Sequence, residues 1–224
     1  MRDPILVREQ FYLLAHDESR HMRPRLHVPA LSAGLAGATV MDLMIAQRVT
    51  VETGTVHADR YARDSTGDPV SDDVLALIMD AQLAPSLPDL IRGAMPGLYE
   101  RTTAALVHKG VIAEKSSTSR WRRAKEHDLS DPGIAVRVRA KVGYRIEQRD
   151  GPSPDADSLC ALVAALGLHG ALQRGSRAEI EPLLHQVIRD LPSNARRSHH
   201  PIGEAPVVAA AVLRVVQDLA TAAL

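Results

Sequence analysis

Along most of the chain apolar residues recur at three- and four-residue intervals, which predicts helices rather than strands. Residues 28–47 form one such stretch, uncharged from Val28 to Met41, and Gly34, Ala36, Gly37 and Ala38 within it predict the close approach of another backbone. Val49, Val51 and Val56 then alternate around a Thr-Gly pair, which predicts a hairpin over 48–59. "TGDPVSDDVLALIMDAQLA" reads as a turn followed by a helix with Ser71 as N-cap and acidic residues in its first turn. "PSLPDLIRGAMP" is a short helix between prolines, and "GLYERTTAALVHKG" is a helix with Leu98, Thr102, Ala105 and Leu106 on one face, stopped by Gly110. "VIAEK", "SSTS" and "RWRRAKEHDL" read as two short extended runs around a polar turn, a protruding hairpin over 111–127. "SDPGIAVRVRAKVGYRIEQRD" opens with Ser130 or Asp131 as N-cap and Pro132 at the first helical position. After the breaker cluster "GPSPDAD", helices are expected at 155–168, 176–190 and 205–223. The fold class expected is mainly α, one helical domain over 1–224 with short β-hairpins.

Composition narrows the function. The chain has 224 residues, 45% hydrophobic and 24% charged, enough to bury a sizeable core. Lys plus Arg and Asp plus Glu both total 27, so no global charge draws the chain to nucleic acid, and attraction to a charged surface must be local. The local exception is "KSSTSRWRRAK", residues 115–125. It holds the only tryptophan, Trp121, among Lys115, Arg120, Arg122, Arg123 and Lys125, with no acidic residue. A Trp ring flanked by cations suits the interface of an anionic membrane. Contact with a second subunit and packing against its own domain are the alternative uses of the same side chain.

Two apolar segments look membrane-like, but Asp42 and Arg48 interrupt one and Arg214 and Asp218 the other, and a span needs about 20 apolar residues. Both are read as core helices. Cys160, the single cysteine, sits in an apolar run that suits a buried thiol. The N-terminal stretch has charges on both sides of a short apolar run and no small-residue cleavage site, so a cytosolic location is expected.

Motifs for chemistry are lacking. His199 and His200 are adjacent rather than at helical spacing, and no His-Glu-x-x-His or Cys-x-x-Cys pair occurs, so no metal site is expected. Gly-x-Ser-x-Gly, Walker and dinucleotide patterns are absent too, and helix capping accounts for the carboxylates of "DESRH" and "SDD". No catalytic residue and no cofactor can be named, and the expectation is a protein that is not an enzyme.

"FYLLAHDESR", "LSAGLAGATVMDLMIAQRVTVETGTV", "TGDPVSDDVLALI" and "LYERTTAALVHKGVIAEKSSTSRWRRAKEHDLSDP" follow one another in an order and spacing that resembles the bacterial branch of the Golgi phosphoprotein 3 family, over roughly residues 8–190. The resemblance implies a central helical bundle wrapped by amphipathic helices, with a protruding hairpin. It also implies a non-enzymatic peripheral protein on the cytosolic membrane face. In eukaryotic relatives a basic pocket holds phosphatidylinositol 4-phosphate, the hairpin supports homo-oligomerisation and membrane contact, and cytosolic tails of membrane proteins are bound.

Carried over by position, the family's pocket tryptophan falls at His27, one arginine at Ala36 and two more at Pro96 and Tyr99, with Arg101 next door. The lipid-binding set the resemblance implies is therefore His27 and Arg101 together with Lys115, Arg120, Trp121, Arg122, Arg123 and Lys125. One Arg and one His offer few converging donors for a phosphorylated head group. The alternative reading is a soluble interaction module whose hairpin joins subunits and has no lipid role.

Overall fold

The computed structural model describes residues 5–59, 64–115, 126–198 and 202–222. Its helices are α1 (Val7–Leu14), α2 (Val28–Ile45), α3 (Pro69–Met79), α4 (Leu87–Ala94), α5 (Leu98–His108), α6 (Pro132–Ile146), α7 (Pro154–Ala165), α8 (Arg177–Ser198) and α9 (Ala205–Ala222). Among the described residues strands occur as antiparallel pairs: β1 (His16–Asp17) with β2 (Arg23–Pro24), β3 (Val49–Glu52) with β4 (Thr55–Ala58), and β5 (Ile112–Glu114) with β6 (His127–Leu129). The class is mainly α, as expected.

At the centre lies α2. It is apolar on all sides, every residue from Ala30 to Met44 is buried, and α1, α3, α4, α5, α7 and α9 pack around it. Its small residues admit side chains rather than a neighbouring backbone, which corrects the sequence expectation. A Cβ on Gly37 would come within 2.3 Å of Val212 from α9, and one on Gly34 within 2.5 Å of Phe11 from α1. By length and composition both α2 and α9 could cross a membrane. The first is 83% buried within the protein and is its core helix. The second is 33% buried and packs by one face, through Ala205, Val208, Ala209, Ala211, Val212 and Val215.

Local sequence explains most boundaries. Thr53 and Gly54 both take positive φ, 50° and 81°, in the two-residue turn that pairs Glu52 with Thr55. Asp131 caps α6 by accepting from Gly133 N, and Pro132 follows at the first helical position. Helix α3 is capped by Asp68 rather than Ser71: the Asp68 carboxylate accepts from Ser71 N at 2.8 Å, and Pro69 opens the helix. The last hairpin is displaced from the expected span. Its return strand is His127–Leu129, beyond the basic stretch, because Ile112 pairs with Leu129 and Glu114 with His127. Cys160 is fully buried, and burial raises its thiol pKa far above the ordinary range.

Sequence reading passed over α1, whose charged residues are all buried. Leu6 at its N-cap offers no capping oxygen, and Asp42 from α2 supplies it instead. Asp42 Oδ1 accepts from Val7 N at 2.7 Å and Oδ2 from Arg8 N at 3.0 Å. Arg8, with no exposed surface, forks onto Asp68 with Nη1–Oδ2 at 2.7 Å and Nη2–Oδ1 at 3.0 Å. Glu9 takes Lys109 Nζ at 2.7 Å, while Gln10 bonds Asp155 of α7 and Lys141 of α6. The eight residues of α1 are thereby tied to five other helices.

Removing one partner of a buried ion pair leaves the other desolvated and unpaired, a loss of about 3–5 kcal/mol. Arg8→Ala should therefore lower the urea midpoint of unfolding by a corresponding amount at unchanged m-value, whereas Arg137→Ala, which removes an exposed partner of Asp131, should shift it by less than about 1 kcal/mol.

Candidate functional site: the hairpin base and the inherited pocket

The hairpin leaves the helical body just after α5. Gly110, at φ 65°, ends that helix, Val111 N donates back to Leu106 O at 2.9 Å, and Ser130 N closes the base by donating to Val111 O at 3.0 Å. Pairing alternates faces. Ile112 and His127 are buried against the body, while Ala113 and Asp128 lie on the outward face. The ladder runs one rung past the strands, where Lys115 N donates to Glu126 O at 2.8 Å. Arg120, Trp121, Arg122, Arg123 and Lys125 lie outside the described residues. Lys115 is within them. Its Nζ is 2.9 Å from His21 Nε2 and 3.9 Å from Glu126 Oε2.

The positions that the resemblance assigns to a head-group pocket carry other chemistry. His27, exposed at the start of α2, turns its ring inward, and Nδ1 accepts from Ala30 N at 3.2 Å as the helix cap. Ala36 is wholly buried in α2. Arg101 Nη1 donates to Pro96 O at 3.0 Å, and Nε stands 3.4 Å from Asp73 Oδ2 on α3. His27 and Arg101 are thus each turned to a local partner, and no hydrogen bond or ion pair joins them.

Tyr99 belongs to a stack that the sequence did not announce. Its ring lies 5.9 Å from His16, which in turn lies 3.9 Å from Tyr12, with the planes within 20° of parallel. His16 Nδ1 donates to Tyr12 O at 2.6 Å, which leaves Nε2 as the acceptor facing Tyr99 Oη at 3.4 Å. Burial pulls the His16 pKa down to about 4, so the ring is neutral at pH 7, and burial likewise raises the Tyr12 hydroxyl well above its ordinary value. Tyr99 and its neighbours thus form a neutral aromatic stack rather than a cluster of cations. The spacing of Tyr12 and His16, one helical turn apart, was the available signal for it.

Most cations in this region have an internal partner. Arg25 bonds His16 O at 3.1 Å and approaches Asp17 at 3.6 Å, Arg139 pairs with Glu18 at 2.5 Å, and His21 Nδ1 meets Asp128 at 2.7 Å. Arg23, exposed on β2, stands outside any ion pair among the described residues. Those residues also contain no group of three His, Cys, Asp or Glu able to hold a metal ion. His199 and His200 lie outside them.

Residues 7–219, nearly the whole chain, match the family model for Golgi phosphoprotein 3 (GPP34). A search of curated proteins gives no match.

Two measurements follow from this geometry. A histidine held neutral in the fold, with its pKa at about 4 against about 6.5 unfolded, contributes stability that is full above pH 6.5 and is lost as pH falls to 4. Asp42 acts in the opposite sense, because burial pushes its pKa up to about 7 against the pull of Arg8 and the two N–H bonds. The His16 contribution must therefore be read as a difference: the gap in unfolding free energy between wild type and His16→Gln should shrink by about 3 kcal/mol between pH 7 and pH 4. In calorimetry, soluble phosphatidylinositol 4-phosphate head group should bind weakly and without preference over other polyanions. Tight, isomer-selective binding would show that other donors build the pocket.

Proposed function

We propose that this chain, which belongs to the Golgi phosphoprotein 3 (GPP34) family, is a non-enzymatic peripheral adaptor that docks reversibly on the cytosolic face of an anionic membrane through its basic hairpin, leaving another surface to bind a protein tail. The observation that supports this reading is the division of charge. Apart from Arg23, the arginines of the described body around this region face Asp73, Asp17 and Glu18, whereas Arg120, Arg122, Arg123 and Lys125 surround Trp121 in a stretch that carries no acidic residue. Drawing a paired arginine onto a phosphate gives up its existing partner, which favours a basic stretch with no acidic residue of its own as the source of positive charge. In this reading anionic lipid is recognised as a charged surface rather than as one head group.

The expected strength is modest. Each cation close to an anionic surface contributes on the order of 1 kcal/mol, so these four give up to about 4 together. That is reversible docking for one copy. A dimer presenting two hairpins would strengthen it by avidity without new contacts. The Trp121 ring adds interfacial affinity, and the cations, being screened beyond about 10 Å at 0.1 M salt, make the whole effect salt-dependent.

Co-sedimentation with phosphatidylcholine vesicles, with and without phosphatidylserine, tests this. Binding should require the anionic lipid and fall steeply with salt. Charge reversal of Arg120, Arg122 and Arg123 should abolish most of it, and Trp121→Ala should weaken it with the circular dichroism spectrum unchanged. If wild type ignores anionic vesicles while Trp121→Ala dissociates an oligomer, the hairpin is a subunit contact and the lipid reading is wrong.

A further inference from the structure

His21 is the one side chain of the turn between β1 and β2 that reaches both strands of the basic hairpin. Its Nδ1 lies 2.7 Å from Asp128 Oδ1 on β6, and its Nε2 lies 2.9 Å from Lys115 Nζ at the end of β5. Nδ1–H donates to the carboxylate, and the Lys115 ammonium group rests against the ring, 2.9 Å from Nε2 and 3.4 Å from Nδ1, rather than along a nitrogen lone pair. Antiparallel pairing explains how one ring meets both. Asp128 pairs with Ala113, and Lys115 sits opposite Glu126 on the next outward rung, so Asp128, Lys115 and Glu126 project from the same face of the ladder. Lys115 also approaches Glu126 at 3.9 Å, so the ring joins a chain of groups that crosses the hairpin at its last described rung.

The backbone beneath His21 is specialised for this reach. His21 and Met22 both take φ 53°, two consecutive non-glycine residues in the left-handed region, which L-residues enter only when their surroundings compensate. The Met22 side chain is buried in the core, which anchors one half of the turn, and His21 projects from the other half onto the hairpin. Asp17 braces the preceding 3-10 turn (Glu18–Arg20) by accepting from Ser19 N at 3.1 Å, and Arg25 N closes the loop onto Ala15 O at 2.8 Å.

We infer that His21 is a positioning residue: the Asp128–His21–Lys115–Glu126 chain clamps the base of the hairpin, strands β5 and β6, to the helical body. On this inference Lys115 is part of the mount and not of the docking surface, because its ammonium group is already engaged by His21 and Glu126. The use of the clamp, aiming the cations of 120–125 together at one surface, rests on the docking reading above. Its existence does not, since it is a property of the protein without lipid.

The 224-residue chain offers a direct probe, because Trp121 is its only tryptophan and lies between the two clamped strands in sequence. In buffer without lipid, His21→Ala should lower the fluorescence anisotropy of Trp121. It should also speed hydrogen exchange of the Lys115 amide about ten-fold or more, with the amides of α2 unaffected. His21→Gln should restore most of both, since its amide keeps a donor for Asp128 and Gln already occupies left-handed positions at 47, 148 and 173. Asp128→Asn, which leaves the left-handed turn untouched, should move both signals in the direction of His21→Ala and serves as the readout should that variant fail to fold. Unchanged anisotropy and exchange in the folded variants would overturn the clamp. With the clamp intact, wild-type failure to bind phosphatidylserine vesicles would remove the docking reading alone. Weaker vesicle binding by His21→Ala than by His21→Gln would join the two.

Discussion

The arrangement depends on a guanidinium with no access to solvent. Arg8 reaches from α1 to the cap of α3, and the same turn of α1 is closed by Asp42 from the central helix. Burying these charges is costly in itself, and an apolar replacement of equal volume could be as stable. What the pair imposes is register. If α1 slid by one turn, Arg8 would leave Asp68, Asp42 would lose both N–H groups, and Glu9 would lose Lys109. Each is a large penalty in a medium where water cannot substitute. A purely apolar α1 could slide against α2 at far lower cost. Everything downstream inherits this register: Tyr12 and His16 stand at the end of α1, their stacking meets Tyr99 on α5, and the chain then enters the turn that places His21 over the hairpin.

This dependence also explains which parts of the fold were legible in the sequence. Elements whose signals are local were readable: Thr53-Gly54 for a two-residue turn, Asp131-Pro132 for a helix start, Gly110 for a helix end, and the uninterrupted apolar run of α2. Helix α1 was not, because "VREQ" reads as surface polarity and its burial is decided by Asp42, Asp68 and Lys109, which lie 34, 60 and 100 residues away. The cap of α3 was misplaced for a related reason. Ser71 and Asp68 both suit capping, and the fork from Arg8 orients Asp68 for the role. Helix α8 runs from Arg177 to Ser198 through Pro182 and Pro192, longer than the expected 176–190, since tertiary packing of Ile180, Leu184, Val187 and Leu191 outweighs the local preference to stop at proline.

The site was legible only in outline. A basic, aromatic hairpin could be read from composition, but the strand register could not. Polar "KEHDL" gives no alternation to show that the return strand begins at His127 and that the side chain of His127 is buried. For the same reason sequence alone does not separate Lys115 from the five residues at 120–125. All appear as one basic cluster, and the division among them depends on His21, 94 residues upstream.

The pairing of the body's arginines and the acid-free sequence around Trp121 belong to one electrostatic pattern. A protein with equal numbers of acidic and basic residues has little long-range field, so its attraction to a charged surface depends on which cations lack an internal acid. In the body, Arg101, Arg25 and Arg139 each face a carboxylate, and Tyr99 belongs to the neutral Tyr12–His16–Tyr99 stack. Restoring an arginine at Tyr99 alone would not recreate a pocket, because it would replace a stacked ring beside a histidine kept neutral by burial, and Ala36 has no path to solvent. Recognition by surface charge needs neither a cavity nor a fixed stereochemistry. It needs cations presented together, and for that the direction of the hairpin matters more than the shape of any pocket.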